Sequence, residues 1–159
     1  MRSSAAVHPP AAPVPAFPIR LSGVCRFSPP LDPRGGRVRR DGGSTEFWLI
    51  LACDPELGRY LRHLYLLDAH RTRSISDPLW GPHVSIVQGE VPVHPARWKD
   101  REGAEMAFTL RHPPQEIGDY VFFPVDCEAA LDYREALGLP REPRHPLHLT
   151  IGNRKRPAR

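Results

Sequence analysis

The chain has 159 residues, with 22 Lys and Arg against 18 Asp and Glu, a formal net charge of +4 and an apolar fraction of 40%. That length suits one domain, with one good core or two small lobes, and no apolar run nears the ~18–20 residues of a membrane span. Three isolated cysteines, Cys25, Cys53 and Cys127, form no C-x-x-C and read as reduced, buried thiols of a cytoplasmic protein rather than a disulfide framework. The modest positive charge permits a nucleic-acid or nucleotide-phosphate partner without requiring one.

Residues 1–19 are rich in Ala and Pro and hold no acidic residue. Prolines break any amphipathic helix there, so the stretch reads as a disordered or extended arm. Ile19 to Phe27 is a candidate first strand. Residues 28–44 are rich in Pro, Gly and Arg and read as a mobile loop. Its Arg34, Arg37, Arg39 and Arg40 are either phosphate contacts or a solvated basic surface. Glu46 to Cys53 is a continuous apolar run, the pattern of a buried central strand. Asp54 then stands where a helix N-cap belongs, Pro55 at the first helical position and Glu56 in the first turn. Leu57, Leu61, Leu64 and Leu67 follow at helical spacing, which predicts an amphipathic helix over about 55–69 flanked by Tyr60 and Tyr65.

A polar connection from Arg71 to Pro78 leads to an apolar strand at about 82–88, closed by Gly89-Glu90; Glu90 is placed to pair with an arginine. Residues 91–103 are irregular. Glu105 to Arg111 alternates, with Met106, Phe108 and Leu110 on one side, and predicts a half-buried strand. Pro113-Pro114 opens a loop that ends near Gly118. Asp119 to Val125 is a further strand, in which Pro124 argues for an edge position or a bulge. Cys127 to Leu137 predicts a second helix with Gly138 as its C-cap. A loop over 139–146 leads to a last strand at about 147–152, and Arg154-Lys155-Arg156-Pro157-Ala158-Arg159 forms a basic tail.

Two of these strands rhyme. Trp80-Gly81-Pro82-His83-Val84-Ser85-Ile86-Val87 and His145-Pro146-Leu147-His148-Leu149-Thr150-Ile151-Gly152-Asn153 each carry one histidine and, two residues later, one hydroxyl. Residues i and i+2 of a strand share a face, so His83 sits beside Ser85 and His148 beside Thr150, with Val84, Ile86, Leu149 and Ile151 turned toward the core. Each histidine strand closes a strand–helix–connection passage, at about 45–89 and 119–152. The expected fold is therefore α+β with two lobes that offer their polar pairs to one cleft. Two imidazoles in opposite protonation states suit in-line phosphoryl transfer, one removing a proton and the other donating one. The hydroxyls of Ser85 and Thr150 suit the non-bridging phosphate oxygens. No metal or cofactor is needed for such chemistry, and no Cys or carboxylate is placed to complete a zinc site from His83, His145 and His148. Trp80 and Tyr60 are candidates to stack a base, and Arg154 to hold phosphate.

The two H-x-[ST] motifs resemble those of the 2H phosphoesterase superfamily. The segments Phe47-Trp48-Leu49-Ile50-Leu51, Arg59-Tyr60, Trp80 to Glu90 and Leu147 to Asn153 are closest in texture to its phage-type anti-CBASS nucleases, which degrade cyclic oligonucleotide messengers of antiphage signalling. The resemblance covers about 45–153. It implies a bilobal fold of two antiparallel sheets flanked by helices around a central cleft, spanning about 20–153. It also implies metal-independent cleavage of 3′,5′ linkages by attack of a ribose 2′-OH, with His83, Ser85, His148 and Thr150 as the catalytic set. Ser85 stands where the family often has Thr. Alternative readings are an RNA 2′,3′-cyclic phosphodiesterase and a nucleotide-binding sponge without catalysis. Neither base preference nor the assignment of acid and base follows from the motifs.

Overall fold

The computed structural model describes residues 18–32, 34–38, 42–68 and 74–154. Residues 1–17 of the Ala/Pro-rich arm, Arg39 and Arg40 of the basic loop, and the tail after Arg154 lie outside them. Among the described residues the order is β1 (Ile19–Phe27), β2 (Trp48–Ala52), α1 (Pro55–Asp68), β3 (His83–Gln88), β4 (Glu105–Leu110), β5 (Gln115–Ile117), β6 (Tyr120–Asp126), α2 (Glu128–Ala136) and β7 (His148–Asn153). A single 3-10 turn, Pro95–Arg97, interrupts the irregular stretch before β4. No helix among the described residues is long and apolar enough to cross a membrane.

The fold is α+β, and all strand pairs are antiparallel. The two sheets expected from the sequence are joined in one seven-stranded sheet, β4-β1-β2-β3-β7-β6-β5, which closes on itself where β4 also pairs with β6. Closure buries edges that would otherwise expose unpaired backbone groups. The joints are narrow. β3 meets β7 only at His83↔Thr150 and Val84↔Leu149, and β4 meets β6 only at Thr109↔Asp126 and Leu110↔Val125. Four strands therefore stand on one side of the two seams and three on the other. The loop expected after Pro113-Pro114 contains β5, a short, wholly exposed strand. β6 is paired on both flanks rather than at an edge. Pro124 is accommodated because β5 pairs no further along β6 than Phe122, and the register shift falls at Val121/Phe122, not at the proline.

Local signals account for the helices. The Asp54 carboxylate accepts from the Glu56 backbone N–H at 2.8 Å, capping α1. Its buried face is Gly58, Leu61 and Tyr65, whereas Leu64 and Leu67 of the expected leucine stripe are exposed. Gly58 sets this rotation: a Cβ there would lie 2.8 Å from the Pro82 ring, so only glycine lets the first turns of α1 rest against the residue before His83. At the end of α2, Gly138 N–H donates to Glu135 O at 2.9 Å and Leu139 N–H to Arg134 O at 3.0 Å, with Gly138 at φ +77°. These are the two bonds of a Schellman stop. α1 lies against β7 and α2 against β3 and β4. One apolar core joins both helices to the sheet, built on Leu49, Leu51, Leu61, Val84, Ile86, Phe108, Ala130, Leu137, Leu149 and Ile151. Each such large side chain contributes about 1.5–3 kcal/mol of burial. All three cysteines are free and buried, and burial pushes the Cys25 thiol up to about 11 and the Cys53 thiol up to about 12.

Candidate active site

The four residues of the two motifs meet across the β3–β7 seam. His83 is the register partner of Thr150, and Val84 of Leu149. The same register, taken one step past the last ladder pair, sets Ser85 opposite His148. Each histidine thus stands across from the other motif's hydroxyl, and all four side chains share one face. Val84 and Leu149, between them in sequence, are fully buried on the other face.

The two halves of the site repeat at the level of single residues. Ala52 pairs with His83 as Pro124 pairs with His148, and Ile50 with Ser85 as Phe122 with Thr150. In both units the register then slips by one residue, so Leu49 meets Val87 and Val121 meets Gly152. The extra residues are Ile86 and Ile151, each directly after the motif hydroxyl. A bulge reverses the alternation of faces, so the polar row ends at Ser85 in one strand and at Thr150 in the other.

Both rings are fixed by the same device. His83 Nδ1 lies 2.8 Å from Gly81 O, and His148 Nδ1 lies 2.7 Å from Pro146 O. A carbonyl only accepts, so each Nδ1 carries a hydrogen and each Nε2 is left for a proton transfer. The surroundings differ. His83 and Ser85 are each 8% exposed, while His148 and Thr150 are half-buried. Trp80 packs edge-on against His83, with ring centroids 5.5 Å apart, and is itself braced by Trp48 at 5.3 Å. Phe122 takes the corresponding place beside His148 at 4.8 Å. Burial lowers the His83 pKa from its ordinary 6.5; the Gly81 carbonyl opposes this and the charge of nearby His148 reinforces it. His83 is therefore held toward the neutral, proton-accepting form.

A groove of about 400 Å³ adjoins the buried half of the site. It is lined by Ile50 and Ala52, the partners of Ser85 and His83, by Trp80 and Pro30, and by Arg26 and Glu102. The Trp80 indole N–H donates to Pro30 O at 3.1 Å, which fixes the ring. Among the sequence candidates, Trp80 is thus brought to the site. Tyr60 is 60% exposed on α1. Arg154 is engaged elsewhere: its guanidinium pairs with Glu116, which also accepts from the Tyr65 hydroxyl of α1, and its backbone N–H donates to Asp119 O. Arg34 and Arg37 lie in a loop whose turn is made by Asp32, the carboxylate accepting from the N–H groups of Arg34 and Gly36. Among the described residues no three His, Cys, Asp or Glu side chains are grouped so that they could hold a metal ion. No family model, curated protein or solved structure matches the chain.

Proposed function

We propose that the chain is a two-histidine phosphodiesterase, with the four-stranded and three-stranded sets as the lobes of a bilobal 2H-type fold. The observation that carries this reading is the register of the seam, His83 against Thr150 and Val84 against Leu149, which turns the polar residues of both motifs to one face. A phosphodiester lying over that face meets two imidazole Nε2 atoms and two hydroxyls. In this reading His83, held neutral, takes the proton of a ribose 2′-OH as that oxygen attacks phosphorus. The P–O5′ bond breaks, and His148, the more exposed ring, gives its proton to the departing 5′-oxygen. The products are a 2′,3′-cyclic phosphate and a 5′-OH. The Ser85 and Thr150 hydroxyls donate to the non-bridging oxygens, where charge gathers. Each proton transfer supplies roughly 10²–10⁴-fold, and neither requires a metal.

The substrate class follows from the resemblance: cyclic oligonucleotide messengers with 3′,5′ linkages, degraded as an antiphage signal. The groove beside Trp80 has room for a base next to His83. The test is incubation with cyclic di- and trinucleotides and with RNA ending in a 2′,3′-cyclic phosphate, in EDTA, with products read by mass spectrometry. Cleavage of the cyclic rings, lost in His83→Ala and in His148→Ala, is the expected result. Cleavage of RNA ends alone replaces the substrate, recovery of every nucleotide intact points to binding without chemistry, and full activity in either variant refutes the mechanism.

A further inference from the structure

The bulge after each motif is gripped by an arginine, and each arginine comes from the other unit. A bulged residue stands outside the ladder, so its carbonyl needs a donor from elsewhere. Ile86 O accepts from Arg134 Nη1 at 2.8 Å. Ile151 O accepts from Arg62 Nη1 at 3.2 Å. A carboxylate completes each clamp: Glu90 receives two bonds from Arg134, at 2.7 and 2.8 Å, and Asp77 pairs with Arg62 at 2.5 Å. Arg134 belongs to α2, which follows β6, yet it holds β3. Arg62 belongs to α1, which follows β2, yet it holds β7.

We propose that Arg62 and Arg134 are positioning residues that set the two His-x-Ser/Thr motifs against each other, each fixing the bulge that follows the other unit's hydroxyl. The proposal rests on the phosphodiesterase reading of those motifs. The ladder between β3 and β7 stops after two residue pairs, so no ladder pair holds the next step, where Ser85 and His148 come opposite. The bulge carbonyls are one residue from Ser85 and Thr150, where a change in backbone direction re-aims the hydroxyls. A guanidinium fork can bind a carbonyl and a carboxylate together; an ammonium is a single point charge. Arg134 also donates through Nε to Pro140 O and Arg141 O, at 2.9 and 3.2 Å, in the loop that leads to His148. One side chain thereby ties the exit of the first motif to the approach of the second.

The test compares wild type with Arg62→Gln, Arg62→Lys and Arg134→Gln, by steady-state cleavage of a cyclic dinucleotide and by NMR of the histidine ring protons. Misplacing a reacting group by about 1 Å costs up to ~10²-fold in rate. Arg62→Gln is expected to lower kcat roughly ten- to hundredfold with KM unchanged, the mark of geometry lost in the transition state, and Arg62→Lys to recover part of it. Arg62→Gln is also expected to shift the His148 resonance more than that of His83. A merely structural loosening of α1, which lies against β7 and through Gly58 against Pro82, is reproduced by Leu61→Ala, which uncovers a buried α1 residue and leaves the Arg62 bonds in place. That variant is expected to lower stability with kcat within about threefold of wild type, and an equal loss of kcat there overturns the proposal. An unchanged kcat, or a His83 shift that exceeds the His148 shift, overturns the proposal. Should Arg134→Gln fail to fold, the Arg62 arms decide. If wild type cleaves nothing, the phosphodiesterase reading falls, and the histidine resonances still decide the clamp.

Discussion

Arg134→Met is expected to be among the most damaging single substitutions in this chain, far worse than the parallel Arg62→Met. Methionine keeps the length and apolar stem of the side chain but offers no donor. The Arg134 side chain is 0% exposed, and that of its partner Glu90 is 33% exposed. Its loss removes two charge-assisted bonds to Glu90 and the donor for Ile86 O, Pro140 O and Arg141 O. Taking one partner from a buried pair costs about 3–5 kcal/mol, a large part of a domain's ~5–15 kcal/mol. Arg62 gives up less. Its carboxylate partner Asp77 is 70% exposed, so that pair contributes about 0–1 kcal/mol, and one carbonyl bond adds about 1 kcal/mol. Urea unfolding at pH 7 measures both. With m near ~2 kcal/mol/M, Arg134→Met moves the midpoint down by about 2 M and Arg62→Met by less than about 1 M. The Arg134 bonds also hold the Glu90 carboxyl below its ordinary pKa. A depressed carboxyl stabilises the fold above its unfolded pKa and loses that contribution as pH falls through the folded value. The gap between wild type and Arg134→Met should therefore narrow in acid. Equal midpoints for the two methionine variants at pH 7 refute the reasoning.

The other expectations concern glycines and His83. Gly138→Ala puts a Cβ 2.7 Å from Val93 Cβ at φ +77°; the left-handed backbone costs about 1–2 kcal/mol and the overpacking about 1–3 kcal/mol, so thermal unfolding should drop by many degrees, and an unchanged midpoint contradicts the Schellman stop. Gly58→Ala meets the Pro82 ring, but the helix gain of about 1 kcal/mol offsets part of the clash, and its loss should be visibly smaller than that of Gly138→Ala. Trp80→Ala uncovers His83; since burial is the main cause of its lowered pKa, the titration of the His83 ring followed by NMR should move to higher pH, and a titration that stays put refutes the role of burial. In the folding equilibrium His83 has the depressed value, so the unfolded chain binds its proton first. Stability owed to His83 should be whole above the unfolded pKa of ~6.5 and fall as pH drops from there through the folded value, and His83→Gln should abolish that slope in pH-dependent urea unfolding.

What was legible in the chain was local. The cap at Asp54, the stop at Gly138 and the alternation around His83 and His148 are set by neighbours in sequence, and the structure holds each where expected. The leucine stripe of α1 misled because rotation of the helix is decided by a distant contact, Gly58 on Pro82, which puts Tyr65 rather than Leu64 inside. Pro124 misled about an edge because where β5 ends along β6 is a tertiary fact. The two seams that close the sheet, and the two bulges, depend on register between strands far apart in sequence, on which composition is silent. Arg62 and Arg134 went unremarked because a charge on a helix ordinarily faces water. For Arg134 a signal existed: it lies on the same helical face as Ala130 and Leu137, both fully buried. A charge on a buried stripe asks for partners. Arg154 is the converse case: a basic residue after a motif looks like a phosphate contact, and the structure sets Glu116 against it.

The repeat poses a question about the proposed chemistry that its own asymmetry answers. An acid and a base must differ, yet the two units give their histidines the same partner position, the same bulge after the hydroxyl and the same carbonyl two residues back on Nδ1. Backbone geometry therefore cannot separate the roles; only the surroundings can. The difference lies in what covers each ring. Trp80 comes from the turn before β3 and is locked by Pro30 and Trp48 over His83, whereas Phe122 comes from the neighbouring strand and leaves His148 half open. Desolvation acts on the covered ring and pushes it toward neutrality, and a positive charge on the open ring pushes the same way. Both effects hold His83 toward the unprotonated form that the proposed chemistry asks of a base. On the proposed chemistry it is therefore the indole that separates the two roles, and the matching strands supply a frame that does not distinguish them.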